Sequence, residues 1–389
     1  MKIRSLLLGS AAAMVAVSGA QAADAVVVEA EPVEYVRICD AYGSGFFYIP
    51  GTETCLNING YVRSHYVKED ETNDANVSDD NVLWAVRARL NFDARNETDW
   101  GTLRSQIRLQ GSEHNGDGIS TAVTGTTGPT TANHTHPVQG GVELDRALIS
   151  IGGFRIGLAD NYWTTNHGYG GANWTQGLGI NVFDDGNYGF SNNIFMDYTF
   201  AADAFAFTVG VEDRGENVSN SGGTDGQGNF YAGVNYSGDW GGAAFTYAHD
   251  DNSTVLNRGD AYKASVMLNL ADMIPGGSFH AIYRWEDLDN EAASAGHTAY
   301  VGADSVLQLS FNMDLTDDLG LTALYVDTDN DTIGTGTNLD GTQWTVGLSW
   351  RPVTGLNIFG SYTSAETENQ AGVTQAEYDS FVIGVVRSF

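Results

Sequence analysis

Residues 83–110 read LWAVRARLNFDARNETDWGTLRSQIRLQ, and apolar and polar side chains alternate through most of this stretch. The apolar side chains share one parity, namely Trp84, Val86, Ala88, Leu90 and Phe92. The other parity carries charges and amides, namely Arg87, Arg89, Asn91 and Asp93. Because successive side chains of a β-strand point to opposite faces, this period of two predicts a strand with one apolar and one charged face.

The length of the alternating segments separates two architectures. Strands of a water-soluble sandwich usually run about five or six residues, and their apolar face packs on a second sheet. A tilted strand that crosses a bilayer needs about nine to eleven residues. The segment at 82–95 belongs to the longer class. We therefore expect lipid, and not a second sheet, to cover the apolar face.

Sixteen such strands are predicted along the chain. They are 55–67, 82–95, 100–110, 142–151, 153–159, 193–201, 205–213, 230–237, 242–250, 261–270, 278–286, 300–313, 319–327, 342–351, 356–364 and 378–389. Short connections such as RNETD and PVTG alternate with long polar ones, which is typical of an up-and-down barrel with its two ends in different surroundings. Closure also pairs every backbone group within the sheet. The predicted fold is all-β: a transmembrane antiparallel β-barrel over 55–389.

Aromatic residues and the last predicted strand agree with a lipid-covered outer face. Aromatic residues fall near strand ends or on apolar parities and predict interfacial girdles. They are Trp84, Trp100, Trp240, Trp285, Trp344, Trp350, Tyr198, Tyr236 and Tyr283. The alternative for each is an ordinary core aromatic. In the final strand Phe381, Ile383, Val385 and Phe389 share the apolar parity, and Arg387 on the same parity is expected to extend its charge to the interface.

Composition excludes one class of partner. The chain carries 18 Lys and Arg against 49 Asp and Glu, for a formal net charge of -31. No nucleic acid is expected as a partner, because phosphate binding needs a basic surface. Hydrophobic residues make up 42% and aromatic residues 11%, which is more than a disordered acidic chain carries.

The N-terminal residues predict export and a disulfide. Residues 1–22 combine a basic start, an apolar stretch and a small-residue site at Ala20-Gln21-Ala22, which indicates a signal peptide. A membrane anchor is the alternative, but the apolar stretch is shorter than the roughly 18 to 20 residues that a span needs. In the following segment, 23–54, Cys39 is close to Cys55, and an oxidising compartment favours a disulfide between them. A pair of buried thiols is the alternative.

Residues 31–67 read EPVEYVRICDAYGSGFFYIPGTETCLNINGYVRSHYV, and their CDAYG, FFYIPGTETCL and GYVR blocks resemble the N-terminal signature of the alphaproteobacterial general porins. The terminal Phe389 resembles the signal by which the barrel-assembly machinery recognises outer-membrane barrels. The resemblance implies a homotrimer of sixteen-stranded barrels in the bacterial outer membrane, among lipid and lipopolysaccharide. Each barrel would hold a water-filled pore for ions and small hydrophilic solutes, narrowed by an inward-folded third loop.

Basic side chains concentrate on the polar parity of the first predicted strands. These residues, predicted to line the pore, are Arg63, Arg87, Arg89, Arg104, Arg108 and Arg146, with His65 beside them. Removal of the signal peptide takes away two of the 18 basic residues, so this group is a large share of those that remain. It predicts a local positive field inside an acidic molecule. The alternative is a set of solvated strand faces, salt-bridged to Asp93 and Asp145.

The connection 160–192, DNYWTTNHGYGGANWTQGLGINVFDDGNYGFSN, lies where the resemblance implies the inward-folded third loop. It is rich in aromatic residues for an exposed loop, so part of it is expected to pack on the inner wall. Asp160, Asp184 and Asp185 would then face the arginines and set a transverse field across the pore. An acidic surface loop is the alternative.

No catalytic, metal or cofactor motif appears in the sequence, since G-x-S-x-G, H-E-x-x-H and Walker patterns are missing. The predicted function is passive diffusion through an outer-membrane channel, with a weak cation preference because acidic loops surround the mouths. A channel selective for a sugar or an anion is the alternative within transport. A barrel enzyme or an adhesin is the alternative from another class.

Overall fold

A computed structural model describes residues 37–73, 78–115, 141–166, 192–212, 228–251, 258–289, 301–330, 339–369 and 371–389. The chain divides into two units, Met1–Arg37 and Ile38–Phe389, and the second contains the sheet. The predicted signal peptide, 1–22, lies outside the described residues, as do Asp184 and Asp185.

Seventeen strands are found among the described residues. They are β1 (Phe46–Tyr48), β2 (Cys55–Asn73), β3 (Ser78–Thr98), β4 (Gly101–Asn115), β5 (Val142–Ile151), β6 (Phe154–Asp160), β7 (Asn192–Ala202), β8 (Phe205–Glu212), β9 (Asn229–Gly238), β10 (Gly241–Asp250), β11 (Gly259–Asn269), β12 (Ser278–Leu288), β13 (Ser305–Asp314), β14 (Leu319–Asp329), β15 (Leu339–Val353), β16 (Leu356–Asn369) and β17 (Thr374–Ser388). A 3-10 turn, Asp40–Tyr42, and a helix, α1 (Tyr162–Thr165), accompany them. No helix in the described ranges is long and apolar enough to cross a membrane.

Strands β2 to β17 close into a barrel. Each pairs antiparallel with the next one along the chain. The last strand then returns to the first: β17 pairs with β2 from Ala376 opposite Asn73 to Ser388 opposite Tyr61. This confirms the predicted closed antiparallel barrel of sixteen strands.

Burial alternates along the strands and defines two faces. In β17, Tyr378 and Val382 are buried, whereas Phe381, Ile383 and Val385 are between 39% and 49% exposed. We call the face with exposed apolar side chains the outer face and the opposite one the inner face. Because the sheet is closed, the inner face surrounds the interior of the barrel. The exposed apolar side chains on the outer face are what lipid contact requires.

Aromatic residues lie on the outer face, as the sequence predicted. Trp84 is 61% exposed and Tyr198 is 52% exposed. Neighbouring strands stack their rings there, for example Tyr262 on Trp285, with centroids 5.3 Å apart and planes at 15°. Amphipathic rings of this kind suit the boundary between hydrocarbon and headgroups.

Several strand boundaries differ from the sequence prediction by four residues or more, and two regions show this best. The β2–β3 hairpin continues to Asn73 and Ser78, beyond the predicted ends at 67 and 82. The polar alternation fades there, yet backbone pairing persists from Val67 opposite Leu83 to Thr72 opposite Ser78. The second region is the start of β13. This strand begins at Ser305 and not at 300, because Gly302 has a φ of 73°, which a strand does not accommodate.

The N-terminal segment completes the wall beside the end of β17. The predicted disulfide between Cys39 and Cys55 is present, with Cα atoms 5.9 Å apart. β1 pairs with the first residues of β2, from Tyr48 opposite Cys55 to Phe46 opposite Asn57. β3 occupies the other edge of β2 at these positions, so β1 covers the edge that β17 leaves unpaired. A disulfide-closed patch thus protects an edge that would otherwise be open.

The C-terminal residue joins the sheet at the same place. Phe389 N donates to Gly60 O at 3.0 Å, and Gly60 N donates to Phe389 O at 3.1 Å. The ring lies over Gly60, since a Cβ at that glycine would be 3.1 Å from Phe389 Cζ. Arg387 bonds to the backbone at the strand ends: its Nη1 donates to the carbonyl oxygen of Gly355, at 3.2 Å, and to that of Ser388. The arginine charge is therefore held at the β15–β16 turn.

Candidate functional site

The six arginines predicted from parity lie on the inner face of β2 to β5. In β3, the exposed Trp84 and Val86 mark the outer face, so Arg87 and Arg89 point inward. The remaining members occupy the matching positions of their strands, with Arg63 on β2, Arg104 and Arg108 on β4, and Arg146 on β5.

Strand register places several arginines directly opposite each other. Arg63 is paired with Arg87 across β2 and β3, and Arg108 with Arg146 across β4 and β5. Like charges directly opposite each other destabilise a sheet unless counter-charges lie between them. The inner face supplies carboxylates beside the second of these pairs, Arg108 and Arg146.

Asp93 forms the first cluster of ion pairs, near the short turn between β3 and β4. Its Oδ2 is 2.7 Å from Arg95 Nη2 and 2.5 Å from Arg104 Nη2. These two arginines are themselves opposite each other in the register. One carboxylate therefore stabilises two guanidinium groups. Arg95 also lies 4.8 Å from the ring centroid of Phe46, which ties the cluster to the disulfide-closed segment.

Asp145 and Asp160 form the second cluster. Asp145 is buried and contacts Arg108, with Arg89 Nη2 at 3.5 Å. Asp160, the last residue of β6, has its Oδ2 3.2 Å from Arg108 Nη2 and 2.5 Å from Arg146 Nη2. The arginines of this wall are thus interleaved with carboxylates on neighbouring strands.

These contacts place Asp160 of the third connection beside the predicted arginines. Asp93 and Asp145 are the carboxylates that the alternative reading of this face required, and both form the expected ion pairs. Asp160 touches Arg108 and Arg146 directly and does not face them from across the interior. The positive field of the wall is therefore reduced locally by its own carboxylates.

Aromatic rings hold several inner-face cations flat. Arg63 lies over the ring of Phe359, with 5.4 Å between Cζ and the ring centroid. Arg89 lies over Tyr61 at 5.3 Å in the same way, and its Nε donates to Gln110 Oε1 at 2.7 Å. Stacking fixes the plane of a guanidinium group while leaving its edge available for hydrogen bonds.

Sequence reasoning missed four further cations on the inner face, namely Arg95, Arg155, Lys263 and Arg284. The alternation of side chains along each strand could have identified them. Arg95, for example, is on the same parity of β3 as Arg87 and Arg89. Arg155 pairs with the buried Asp197, with Arg155 Nη2 and Asp197 Oδ2 2.5 Å apart. Lys263 and Arg284 are opposite each other on β11 and β12, and both are buried.

The third connection begins inside the barrel. α1 starts after Asn161, whose Oδ1 accepts a hydrogen bond from Thr164 N at 2.8 Å, as an N-cap residue does. Tyr162 and Trp163 are buried, with exposed fractions of 6% and 2%. Residues 167–191 lie outside the described part, so the prediction that the loop as a whole folds inward stays a prediction.

Tyr162, the first residue of α1, packs against side chains of β9. Tyr162 stacks on Tyr231, with ring centroids 5.6 Å apart and planes at 10°. Its hydroxyl donates to Asn235 Oδ1 at 3.0 Å. Burial raises the pKa of Tyr162 to about 12, so the phenol keeps its proton at neutral pH. A Cβ at Gly233 would lie 2.5 Å from Tyr162 Cε1, so this glycine leaves room for the ring.

Side chains of β8, β10 and β11 hold the rest of the segment. Asn161 Nδ2 donates to Glu212 Oε1 at 3.3 Å, and Asn166 Nδ2 donates to Thr246 Oγ1 at 2.8 Å. Lys263 Nζ donates to the Trp163 carbonyl oxygen and lies 5.2 Å from the Trp163 ring centroid. Residues 161–166 therefore lie against the inner face of four strands.

Comparison with known proteins agrees with this geometry. Residues 24–383 match the profile of the family described as Porin subfamily. Porin Omp2a of Brucella ovis is 40% identical over 255 residues, covering 64% of this chain and 71% of the relative. Porin Omp2b of Brucella canis is 38% identical over 263 residues, covering 64% and 66%.

Solved structures share the barrel fold. The outer membrane channel DcaP of Acinetobacter baumannii gives a TM-score of 0.61 at 13% identity, covering 88% of this chain and 99% of that one. OprB of Pseudomonas putida gives a TM-score of 0.53 at 12% identity, covering 86% and 94%. At these identities the likeness concerns the fold alone. The family match, the closed sheet and the charged inner face together show that the chain belongs to the porin family and is a channel for passive diffusion across the bacterial outer membrane.

Proposed function

We propose that ions and small hydrophilic solutes cross the barrel along the arginine wall of β2 to β6. Arg63, Arg87, Arg89, Arg104, Arg108 and Arg146 would line this path together with Asp160, and Asp184 and Asp185 would add charge from the third connection. The observation that carries the proposal is the ion-paired inner face of a closed sheet whose outer face is apolar. A polar interior of this kind is what a water-filled pore requires.

We infer further that the chain works as a homotrimer, embedded in outer-membrane lipid and lipopolysaccharide after insertion by the barrel-assembly machinery. Membership of the porin family supports the trimer. The outer position of the ring of Phe389 and its pairing with Gly60 support its role as an assembly signal. Cross-linking of detergent-extracted protein, followed by mass measurement, tests the trimer; a mass corresponding to one chain would contradict it.

A weak cation preference is the second part of the proposal. The formal net charge of -31 supports it, because acidic loops raise the cation concentration where ions enter. The carboxylates that partly neutralise the arginine wall support it as well. Reversal potentials measured in a salt gradient test the preference, and a potential of the sign for anions would contradict it.

Planar-bilayer recording of the purified protein tests the proposed channel. We expect stepwise insertions with an ohmic current, because a preformed polar interior needs no opening event. Blockade by one sugar or one anion at low concentration would favour the selective channel instead. Detergent without protein and heat-denatured protein serve as controls. If folded protein gives no conductance, the proposal is wrong.

The porin family points to a channel and not to an enzyme. We infer that the chain carries no catalytic activity and needs no cofactor. Passage of a solute down its gradient requires no bond to change.

A further inference from the structure

We propose that Lys263 is a positioning residue that, together with Thr246 and Tyr231, fixes residues 161–166 inside the barrel and thereby sets the width of the pore. The inference rests on the proposed function, because the position of this segment matters only if solutes pass beside it.

Chain reach shows that the segment leaves the wall. Asp160 ends β6, and Lys263 is on β11, with β7, β8, β9 and β10 between them. At about 4.8 Å for each strand, these two strands are about 24 Å apart along the wall. The three residues from Asp160 to Trp163 reach at most about 10 Å. From Asp160 the chain therefore cuts across the interior to reach Lys263, and does not follow the curve of the wall from β6.

Lys263 is almost completely buried, so water does not solvate its ammonium group. Its exposed fraction is 1%, and a buried ammonium group is unfavourable unless polar partners replace water. Lys263 meets this requirement in part through the Trp163 carbonyl oxygen and the Trp163 ring. Both contacts belong to the segment, so displacement of residues 161–166 would remove them together.

Neighbouring strands hold the segment at a second point. Thr246 is directly opposite Lys263 in the register of β10 and β11. Thr246 Oγ1 accepts a hydrogen bond from Asn166 Nδ2, while Lys263 binds the carbonyl oxygen of Trp163. Two adjacent wall positions therefore grip the segment at residues three apart, which fixes its direction as well as its location.

The Tyr162–Tyr231 stack links the segment to the arginine wall. Tyr231 hydroxyl donates to Asp197 Oδ2 at 3.0 Å, and the same carboxylate pairs with Arg155 on β6. The segment is thus attached to β9 by the stack. Through Asp197 it is also linked to β6, the strand that precedes it in the chain. A loosened segment would disturb both the free cross-section and this ion pair.

The substitution Lys263→Met tests the inference, because methionine keeps an unbranched side chain of similar length and removes the charge and the donor. We expect a single-channel conductance above that of the wild type and entry of larger polyethylene glycols into the pore. Lys263→Arg retains a charged donor and should restore the wild-type size limit. Lys68→Met, at an exposed lysine of β2, is the matched control and should change neither quantity.

A second variant keeps the test decisive if Lys263→Met does not insert. Thr246→Val preserves the shape of the side chain and removes the acceptor for Asn166, so we expect the same shift in smaller measure. Wild-type pore size in every variant that inserts, with a conducting wild type, would overturn the inference and leave the proposed function intact. A wild type that does not conduct would instead refute the proposed function.

Discussion

At the scale of single residues, the charge of the inner face depends on which carboxylates accompany the arginines. Asp145 is buried between Arg89 and Arg108 and contacts both. Removing a carboxylate from such a site leaves its guanidinium partners uncompensated. The local field then becomes more positive without any change in the number of arginines.

The substitution Asp145→Asn should therefore shift selectivity toward anions. The reversal potential in a salt gradient would move to the anion side relative to the wild type, while Asp145→Glu, which keeps the charge, would move it little. Heat-dependent migration in detergent gels verifies that each variant is folded. An unchanged potential in folded Asp145→Asn would mean that solutes do not pass near this cluster.

Removal of arginine charge should act in the opposite direction. We expect the double substitution of Arg87 and Arg89 by Ala to raise cation selectivity, because both side chains are on the inner face of β3. The same reversal-potential measurement applies. Arg351→Ala, at the end of β15 on the short-turn side, provides a control that removes one positive charge outside the arginine wall. If the potential stays at the wild-type value, these two side chains are not in the conducting path.

Parity predicted which arginines face inward, because a period of two is a local property that the sequence displays. It did not show which partners they meet. Asp145 and Arg108 are on different strands, and a bulge between Arg108 and Leu109 alters the register there. Ion pairs of this kind depend on register, which a single strand does not encode.

At the scale of elements, β1 and the disulfide form a patch on the wall. The loop closed by Cys39 and Cys55 spans a sequence separation of 16. Loss of the disulfide should lower the free energy of unfolding by about 3 kcal/mol in the chain-entropy treatment of a loop of this length. It should also release Phe46 from Arg95.

Replacing both cysteines by Ser should therefore lower the urea concentration at which the barrel unfolds in detergent. Dithiothreitol should have the same effect on the wild type and no effect on the double variant, which separates the disulfide from any general action of the reductant. Equal midpoints for wild type and variant would show that β1 holds its place without the covalent link.

The helix α1 offers a test by pH. Because burial raises the pKa of Tyr162 to about 12, above the value of about 10 for a free phenol, the neutral ring is favoured in the folded state. Its contribution to stability is fully present below about pH 10 and is lost as pH rises through about 12.

Tyrosinate absorbance of the wild type minus that of Tyr162→Phe isolates this group. We expect the difference to titrate with a midpoint near 12, and pore size to stay constant from neutral pH up to the onset of that titration. A midpoint near the ordinary tyrosine value would show that the ring is solvated and that α1 is not docked on β9.

Element boundaries were predictable where the bilayer imposes a pattern and less so elsewhere. The strands whose apolar alternation is complete, such as β10 and β14, have nearly the predicted bounds. The hairpin of β2 and β3 extends past the apolar band, where both faces are polar and hydrophobicity no longer marks the strand. The position of α1 could not be predicted from local sequence either, because the contact between Lys263 and Trp163 joins residues 100 positions apart in the chain.

At the scale of the whole molecule, an apolar outer face around a charged interior means that the folded chain needs an apolar surrounding. Side chains such as Trp84, Phe207 and Val209, each at least 49% exposed, would meet water without it. Exposed apolar surface on this scale leads to aggregation in buffer.

We therefore expect the processed chain to be monodisperse only in detergent or lipid. Size-exclusion chromatography with light scattering, with and without detergent, measures this directly. A soluble and monodisperse species in plain buffer would contradict a lipid-covered barrel and every conclusion about conduction that depends on it.

The strand count and the closed topology were predictable because the alternation of short and long connections repeats along the chain.

The seam between β2 and β17 also has a kinetic consequence. Tyr378 hydroxyl donates to Glu69 Oε1 across it, between residues 309 positions apart. Among the described strands, the other wall neighbours are consecutive and can pair as soon as each hairpin exists, whereas this contact closes a ring of almost the whole chain. The entropy of that closure delays it, and two unsatisfied strand edges persist until then. We expect refolding yield to fall as protein concentration rises, because another molecule competes with the distant end of the same chain for each open edge.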